Sequence, residues 1–269
     1  MKRELADFFE KNGIEYYALL DYAETRSINP SLIEREQFTP RSVLIFLLPY
    51  YAGECENLSR YAAARDYHIA IREITDSLIA ELSRLFPTSS AKGYGDHSPI
   101  DERDAALSAG LGILGDSGLL INENYGTYVF VADVITDIPP EAFGESGKAH
   151  THGRCISCGA CLRACPTGIL RREPADCLSA ITQRKGDLDE NEVDLMRKFN
   201  TVWGCDLCQS VCPYNKEPKI TPISFFREDR ITLLTSDLLA EMSKEEFQSR
   251  AFAWRGRKTV ERNLRLLNY

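Results

Sequence analysis

Eight of the nine cysteines in this 269-residue chain lie between positions 155 and 212, and their spacing constrains the fold more than any other feature. The first run, C-x2-C-x2-C-x3-C-P at residues 155–166, has the spacing of bacterial ferredoxins. In that motif three thiolates bind one [4Fe–4S] cluster and the fourth binds the other. A second run, C-x2-C-x3-C-P at residues 205–213, supplies the last three positions of another such motif. Cys177, which lies alone between the runs, is the candidate for its missing first position.

The spacing therefore predicts two [4Fe–4S] clusters with four thiolates each. The predicted ligands of the first cluster are Cys155, Cys158, Cys161 and Cys212. The predicted ligands of the second cluster are Cys165, Cys177, Cys205 and Cys208. Zinc and disulfides are the alternatives. Zinc sites usually use separated cysteine pairs, and disulfides need an oxidising compartment, so both fit the spacing less well.

Charge and hydropathy limit the partners of the chain. The formal net charge is −8, which excludes a nucleic-acid binder that depends on overall positive charge alone. The sequence contains no apolar run long enough to span a bilayer, so we expect no membrane partner. Residues 1–10 mix charged and apolar side chains like an amphipathic helix and not like an export signal. Together with reduced thiols, this predicts a cytoplasmic protein.

The hydrophobic pattern before the cysteines alternates between helix and strand. Helices are predicted at residues 2–11, 71–85 and 99–109, the second of them ended by Pro87. Strands are predicted at residues 14–20, 42–48, 119–121 and 127–135. The glycine-rich residues 92–96 receive no assignment to either. This alternation predicts an α/β or α+β domain.

Four segments follow from these patterns. The first, residues 1–137, is predicted to hold the cofactor and the substrate, and proline- and glycine-rich residues 138–153 are predicted to be a linker. A ferredoxin-like domain is expected at residues 154–215, in which a capping box at Asp189 and Glu192 begins a helix. A helical extension, residues 216–269, is expected to pack on the other domains. It contains one helical stretch at 236–252 and a basic end at 255–265.

Several segments outside the first cysteine run resemble the epoxyqueuosine reductases. R-Y-A-A-A-R-D-Y-H at residues 60–68 resembles the family's R-Y-A-x-G-x-D-Y-H. D-H-S-P at 96–99, E-R at 102–103 and A-G-L-G-I-L-G at 109–115 are similar to its D-x-x-P, E-R and A-G-L-G-x-x-G segments. Shorter similarities are G-T-Y-V-F at 126–130 and R-N-L at 262–264. The second cysteine run, W-G-C-D-L-C-Q-S-V-C-P at 203–213, matches the family pattern closely.

The resemblance implies a cobalamin-type reductase domain, related to reductive dehalogenases, followed by the two-cluster ferredoxin domain. Such enzymes reduce epoxyqueuosine in tRNA to queuosine, with electrons from an external low-potential donor of the flavodoxin or ferredoxin type. Asp96 aligns with the family's proposed proton donor and is the predicted catalytic residue. The predicted cofactor-binding residues are Arg60, Tyr61, Asp66, His68, Gly110, Gly112 and Gly115. A buried carboxyl beside an electron-rich metal would keep its proton near neutral pH, because burial and nearby negative charge both disfavour the ionised form.

The sequence also departs from the family pattern. Asp116 replaces a lysine, and V-A-D at residues 131–133 stands where the family has L-G-E. The printed chain ends at Tyr269, so it resembles a short form without the family's C-terminal helical-repeat module. Two alternatives therefore stay open: a cobalamin-dependent reductase of another, small substrate, and an electron-transfer protein without a substrate of its own.

Several of these features also have explanations that involve no function. Asp96 could be an ordinary turn residue before a helix, and residues 66–68 could simply fix their helix against the sheet through hydrogen bonds. The basic residues at 255–265 could contact RNA phosphates or form a solvated helix face.

Overall fold

The computed structural model describes residues 3–144, 153–171 and 177–269. Its strands are β1 (Tyr17–Asp21), β2 (Ser42–Pro49), β3 (Ala91–Gly95), β4 (Ile113–Leu114), β5 (Leu120–Ile121) and β6 (Val129–Thr136). Its α-helices are α1 (Arg3–Lys11), α2 (Pro30–Glu34), α3 (Tyr67–Leu85), α4 (Glu102–Ser108), α5 (Ala160–Ala164), α6 (Leu178–Thr182), α7 (Glu190–Lys198), α8 (Leu207–Ser210), α9 (Ser236–Glu241), α10 (Lys244–Gln248) and α11 (Arg257–Leu267).

The N-terminal half is built on a four-stranded sheet with the order β1-β2-β6-β3, in which every neighbouring pair is antiparallel. Of the two predicted classes it is therefore α+β. All eight residues of β2 are buried, as its continuous apolar run predicted, because layers cover both faces of the sheet. The layer on one face includes α1 and α3, and the layer on the other includes α4. The short β4–β5 hairpin follows α4.

Strand β3 is the glycine-rich segment that the sequence pattern did not assign. A Cβ atom on Gly93 would collide with the side chain of Thr75, and one on Gly95 with the side chain of Ile71. Both partners lie on α3, so the glycines let this long helix lie close against the edge of the sheet. Glycine is unfavourable in a strand by itself, which is why the pattern missed β3.

Helix α3 forms where it was predicted and begins four residues earlier, at Tyr67. The Asp66 side chain accepts a hydrogen bond from the His68 backbone N–H and so caps the first turn. The buried side chains recur at three- and four-residue steps along the helix: Ala70, Ile71, Ile74, Leu78 and Leu82. The helix ends at Leu85, two residues before Pro87.

In the cysteine-rich segment, α5 lies within the first cysteine run and α8 within the second, and the two helices pack against one another. The predicted capping box is confirmed: the Asp189 carboxylate accepts from the Glu192 N–H, and the Glu192 carboxylate accepts from the Asp189 N–H. One buried apolar cluster combines residues from distant parts of the chain, including Leu58, Trp203, Phe252 and Leu264. The domain boundaries at 137, 153 and 215 stay predictions, and residues 145–152 of the predicted linker lie outside the described residues.

The predicted single helical stretch at 236–252 is wrong in its continuity. Helix α9 ends at Glu241, and Ser243 starts α10 with a capping box of its own to Glu246. The serine hydroxyl accepts the Glu246 N–H, which satisfies a backbone donor that a continuous helix would have paired. None of the described helices combines the length and the apolarity that crossing a bilayer requires.

Candidate functional site

A cavity of about 540 Å³ opens between the N-terminal end of α3, the loop after β3, strand β6 and the C-terminal segment. It is lined by Tyr61, Asp66, Tyr67, His68, Asp96, Phe130, Gln183, Ala251 and Trp254. Its aromatic wall includes the Tyr67 and Phe130 rings, which stack with centroids 4.1 Å apart and 11° between their planes. The cavity therefore combines flat apolar surfaces with a few polar groups, the usual composition of a cofactor or substrate site.

His68 is the basic group of this cavity. Its Nδ1 lies 2.8 Å from an Asp66 carboxylate oxygen, and its Nε2 lies 3.7 Å from the Asp96 carboxylate. The hydrogen bond to Asp66, and then the interaction with Asp96, raise the pKa of His68 to about 9, although partial burial acts in the other direction. His68 is therefore an imidazolium at neutral pH.

Asp96 reaches the cavity from the loop between β3 and α4. Its Oδ2 accepts a hydrogen bond of 2.8 Å from the Tyr67 hydroxyl. The interaction with the His68 ring lowers the pKa of Asp96; burial opposes this shift and the Tyr67 hydroxyl adds to it. The Asp96 side chain is 66% exposed. In this structure Asp96 is exposed and its carboxylate is ionised beside the imidazolium of His68. The protonated state expected beside an electron-rich metal stays a prediction.

A second set of carboxyl groups lies beneath the same loop, and the sequence did not single it out. The Asp96 backbone N–H donates to Glu102 Oε1 over 3.1 Å. Burial, followed by the charge of Asp133, raises the pKa of Glu102 to about 8. Asp133 has no exposed surface, and burial raises its pKa to about 7. Within the described residues neither oxygen of Asp133 has a hydrogen bond of normal geometry, although the nearby Ser98 hydroxyl moderates its shift.

The structure brings together the four cysteines predicted for the first cluster. Cys212 lies close enough to Cys155 and Cys158 for their charges to interact, and Cys161 is similarly close to Cys212. All four line one hollow beside the β4–β5 hairpin. Cys158 is exposed, so this set lies near the surface.

The four cysteines predicted for the second cluster form a separate and more buried set. Cys205 interacts with Cys165 and Cys177, and Cys208 interacts with all three of the others. Burial raises the pKa of Cys205 to about 11 and that of Cys208 to about 12. Cys177, the ligand that no local motif fixed, is among these four.

Both sets have the donor chemistry of a [4Fe–4S] cluster, which is held by four cysteine thiolates. Across the described ranges no three Cys, His, Asp or Glu side chains are placed to hold a single metal ion. These two findings agree, because each thiolate of a [4Fe–4S] cluster binds a different iron. The four sulfurs around such a cluster are therefore expected to be farther apart than the roughly 3.8 Å around one tetrahedral zinc with bonds of about 2.3 Å.

Two short connections link the second cysteine set to residues that line the cavity. Cys177 precedes α6 and Gln183 follows it, and Gln183 lines the cavity. Since α6 has five residues, it spans only about 8 Å. In addition, the Trp203 indole N–H donates to the Tyr61 hydroxyl over 3.0 Å, and Trp203 is two residues from Cys205. The cavity therefore lies next to the more buried of the two cysteine sets.

Three of the predicted cofactor-binding residues line the cavity, and the others lie outside it. Tyr61, Asp66 and His68 line the cavity, whereas Arg60 pairs with Glu54 and, at 3.1 Å, with Asp206. The roles of all these residues stay predictions.

The three predicted cofactor-binding glycines, Gly110, Gly112 and Gly115, lie between the end of α4 and the hollow of the first cysteine set. Gly110 follows α4 with a φ of +69°, and Gly115 lines the hollow of the first cysteine set. Gly112 approaches the Ile121 carbonyl so closely that a Cβ would lie 2.6 Å from its oxygen. Gly112 thus allows close packing within the β4–β5 hairpin, and Gly115 lies beside the first cysteine set. The cofactor-binding roles of these glycines stay predictions.

Two arginines of the basic C-terminal end have structural partners. Arg257 donates to the backbone carbonyls of Leu239 and Met242, at the end of α9. Arg262 donates to the backbone carbonyls of Arg184 and Gly186. These two side chains join helices, which neither sequence-based explanation of the basic end had considered.

Comparisons with known proteins agree with this architecture. Residues 154–215 match the model of the 4Fe-4S double cluster binding domain, the segment predicted to be ferredoxin-like. An epoxyqueuosine reductase of Listeria monocytogenes is 33% identical over 88% of this chain and 65% of its own length. One of Gloeobacter violaceus is 33% identical over 77% of this chain and 68% of its own length. The first three curated relatives are matched over only 54% to 65% of their length.

Solved structures show the same fold. An epoxyqueuosine reductase of Streptococcus thermophilus has a TM-score of 0.80 at 21% identity, over 98% of this chain and 80% of that one. An epoxyqueuosine reductase with an epoxyqueuosine-modified tRNA-Tyr stem loop has a TM-score of 0.76 at 25% identity, with the same coverage. One of Bacillus subtilis, whose catalytic aspartate loop is swung out of the active site, has a TM-score of 0.75 at 26% identity and again the same coverage. The predicted mixed fold followed by a two-cluster domain is confirmed, and the chain belongs to the epoxyqueuosine reductase family.

Proposed function

We propose that this protein is an iron–sulfur, cobalamin-dependent reductase that converts epoxyqueuosine in tRNA to queuosine. The observation that carries the proposal is the adjacency of an open cavity, which holds a proton-bearing His68–Asp96 pair, to the more buried cysteine set. An electron-transfer protein without a substrate has no need of such a cavity.

The reaction needs protons as well as electrons. Reducing an epoxide to an alkene consumes two electrons and two protons and releases the oxygen as water. Bound clusters and cobalamin supply the electrons and the reducing centre at which carbon–oxygen bonds are broken. The residues of the chain must therefore place the substrate and deliver protons.

The geometry supports Asp96 as the group that delivers a proton to the epoxide oxygen. It lies at the cavity surface, and the Tyr67 hydroxyl donates to it, which fixes its orientation. Because its carboxylate is ionised, it needs a source of protons, and the imidazolium of His68 lies 3.7 Å away. Asp66 holds the His68 ring on the other side. We infer a relay from His68 to Asp96 to the leaving oxygen.

The cavity also suits the cofactor that the family implies. A planar macrocycle needs flat apolar walls, and the stacked Tyr67 and Phe130 rings together with Trp254 provide them. Tyr61 and His68 would contact it. We further propose tRNA as the substrate, a flavodoxin or ferredoxin as the electron donor, and the cytoplasm as the location, where thiolates stay reduced.

The test uses the anaerobically purified protein with both clusters reconstituted and cobalamin added. We expect a corrinoid absorbance that stays with the protein and, under strong reduction, conversion of epoxyqueuosine to queuosine in tRNA, followed by mass spectrometry of the nucleosides. Loaded protein that leaves epoxyqueuosine intact would contradict the proposal. Protein that holds two clusters but no corrinoid would favour the electron-transfer alternative.

A further inference from the structure

The loop that carries Asp96 has a conformation that must be held in place. Asp96 has a φ of +67°, in the left-handed region that a residue with a Cβ atom adopts at a steric cost. The far end of the loop is fixed by the N–H groups of Ile28 and Asn29, which both donate to the Pro99 carbonyl. At the near end, the Asp96 N–H donates to Glu102. Glu102 is thus the side chain that holds the strained residue itself.

Glu102 is not needed to begin its own helix. Asp101 is the N-cap of α4, and its side chain accepts the Asp104 N–H. The Glu102 carboxyl instead turns back toward the loop, above the buried Asp133 of β6. Asp133 lies opposite Tyr94 of β3 in the sheet, where the strand leads into the loop. Beneath the loop there is therefore a pair of carboxyl groups, of which Asp133 is fully buried and Glu102 is partly buried.

We propose that Glu102 is a positioning residue: its carboxyl, supported by Asp133, accepts the Asp96 N–H and holds the loop so that the Asp96 side chain faces Tyr67 and His68. This inference rests on the proposed function and assigns a residue to it. A direct catalytic role for Glu102 is not part of the proposal, because its carboxyl contacts the loop backbone and does not line the cavity.

The surroundings of Glu102 make this support sensitive to pH. The titratable groups that face the pair are Asp96 and Asp101 of the loop, Tyr94 of β3 and Tyr22 after β1. The charges of Asp96 and Asp101 oppose ionisation of Glu102, whereas the two tyrosines stay neutral near pH 8 because their pKa values are raised above the usual 10. As pH rises above about 8 both ionise, and their mutual repulsion in a buried place weakens the support of the loop.

Hydrogen exchange followed by mass spectrometry tests the proposal in the full-length, cluster-loaded protein. The readout is the protection factor of amides in the peptide spanning residues 91–101. Glu102→Leu removes the acceptor, and we expect protection of the Asp96 amide to fall at least tenfold. Glu102→Gln keeps an acceptor oxygen, so protection should persist and should no longer decline above pH 8. Asp104→Asn removes a charge from the same helical turn and is the matched control, with protection unchanged.

Activity provides the second readout. In Glu102→Leu we expect kcat for epoxyqueuosine reduction to fall about tenfold, with iron content and corrinoid affinity unchanged. Equal protection of the loop in wild type and Glu102→Leu would overturn the proposal, whatever the activity. If Glu102→Leu does not fold, a wild-type decline in protection above pH 8 that persists in Glu102→Gln would overturn it instead. Wild-type protein that reduces no epoxyqueuosine would contradict the proposed function. The hydrogen-exchange data would still decide whether Glu102 holds the loop.

Discussion

The two sides of the β3–α4 loop carry carboxyl groups with opposite properties. On the cavity side, the interaction with the His68 ring lowers the pKa of Asp96. On the buried side, loss of solvent raises the pKa of Glu102 to about 8 and of Asp133 to about 7. The first side offers partners that stabilise a negative charge, and the second side offers almost none. One short loop therefore separates a carboxylate that can accept a proton from carboxyl groups that keep theirs.

This contrast assigns proton transfer to the cavity side of the loop and structural support to the buried side. Asp96 is exposed to the cavity and has hydrogen-bond partners that can exchange protons with it. Asp133 is fully buried and has no hydrogen-bond partner of normal geometry among the described residues, so it can only act through its neighbours. Removing each group in turn should change different properties of the protein.

The largest effect is expected for Asp96→Asn on the cavity side. An amide cannot carry the proton, and asparagine tolerates the left-handed conformation, so the fold should persist. We expect kcat for epoxyqueuosine reduction to fall by roughly 10²- to 10⁴-fold, with cluster and corrinoid contents unchanged. The measurement is single-turnover conversion by the reduced protein. A variant with more than a tenth of wild-type activity would show that Asp96 is not the proton donor.

Asp133→Asn should alter stability on the buried side. The folded protein keeps the Asp133 proton up to about pH 7, whereas the unfolded chain releases it near pH 4. The folded state therefore binds more protons between these values, and its stability falls as pH rises through that window, by up to about 4 kcal/mol. Asparagine does not titrate, so the variant lacks this pH-dependent loss of stability. Between pH 5 and pH 8, the melting temperature of the variant, measured anaerobically, should therefore rise relative to that of wild type. A difference that is the same at both pH values would contradict the raised pKa.

A smaller effect is expected for His68→Gln. Wild-type activity should fall as pH rises through about 9, where His68 loses its proton. Glutamine cannot be protonated, so the variant should lose this limb of the pH–rate profile. Its rate at neutral pH should be lower by on the order of tenfold, the value of a hydrogen bond to a charged group. A limb that persists near pH 9 would assign the titration to another group.

The smallest effect is expected for Tyr67→Phe. It removes the one hydrogen bond from Tyr67 to Asp96, worth about 1 kcal/mol, so kcat should fall about fivefold. Tyr94→Phe is its control on the other side of the loop, because within the described residues the Tyr94 hydroxyl is buried without a partner. This control should leave kcat unchanged. Equal losses in both variants would point to a general disturbance of the loop.

The cysteine sets could be assigned from sequence because cluster ligands follow a fixed local spacing. Even Cys177 could be assigned to the second set, because two clusters need eight thiolates and the two runs supply seven, although no neighbouring residue marks it. The capping box at Asp189 and the strand β2 were equally predictable, since each depends on residues close together in the chain.

Features that depend on distant residues were missed or predicted wrongly. Strand β3 exists because α3 packs against its glycines, and the helical stretch at 236–252 is divided because Ser243 begins a new helix. The partner of Asp96 was also missed, because the motif that contains it does not show that its side chain is exposed and lies beside His68. The E-R and V-A-D segments had been noted, but nothing in their spacing brings Glu102 and Asp133 together.

The sequence by itself predicted two clusters with eight cysteine ligands and showed the resemblance to a reductase family, because ligand spacing and short motifs depend on residues close together in the chain. Only the tertiary structure decided which groups share the cavity, which carboxyl groups are ionised, and how the Asp96 loop is supported. The reason is that a pKa depends on burial and on neighbouring charges, and both are set by side chains that lie far apart in sequence until the chain folds.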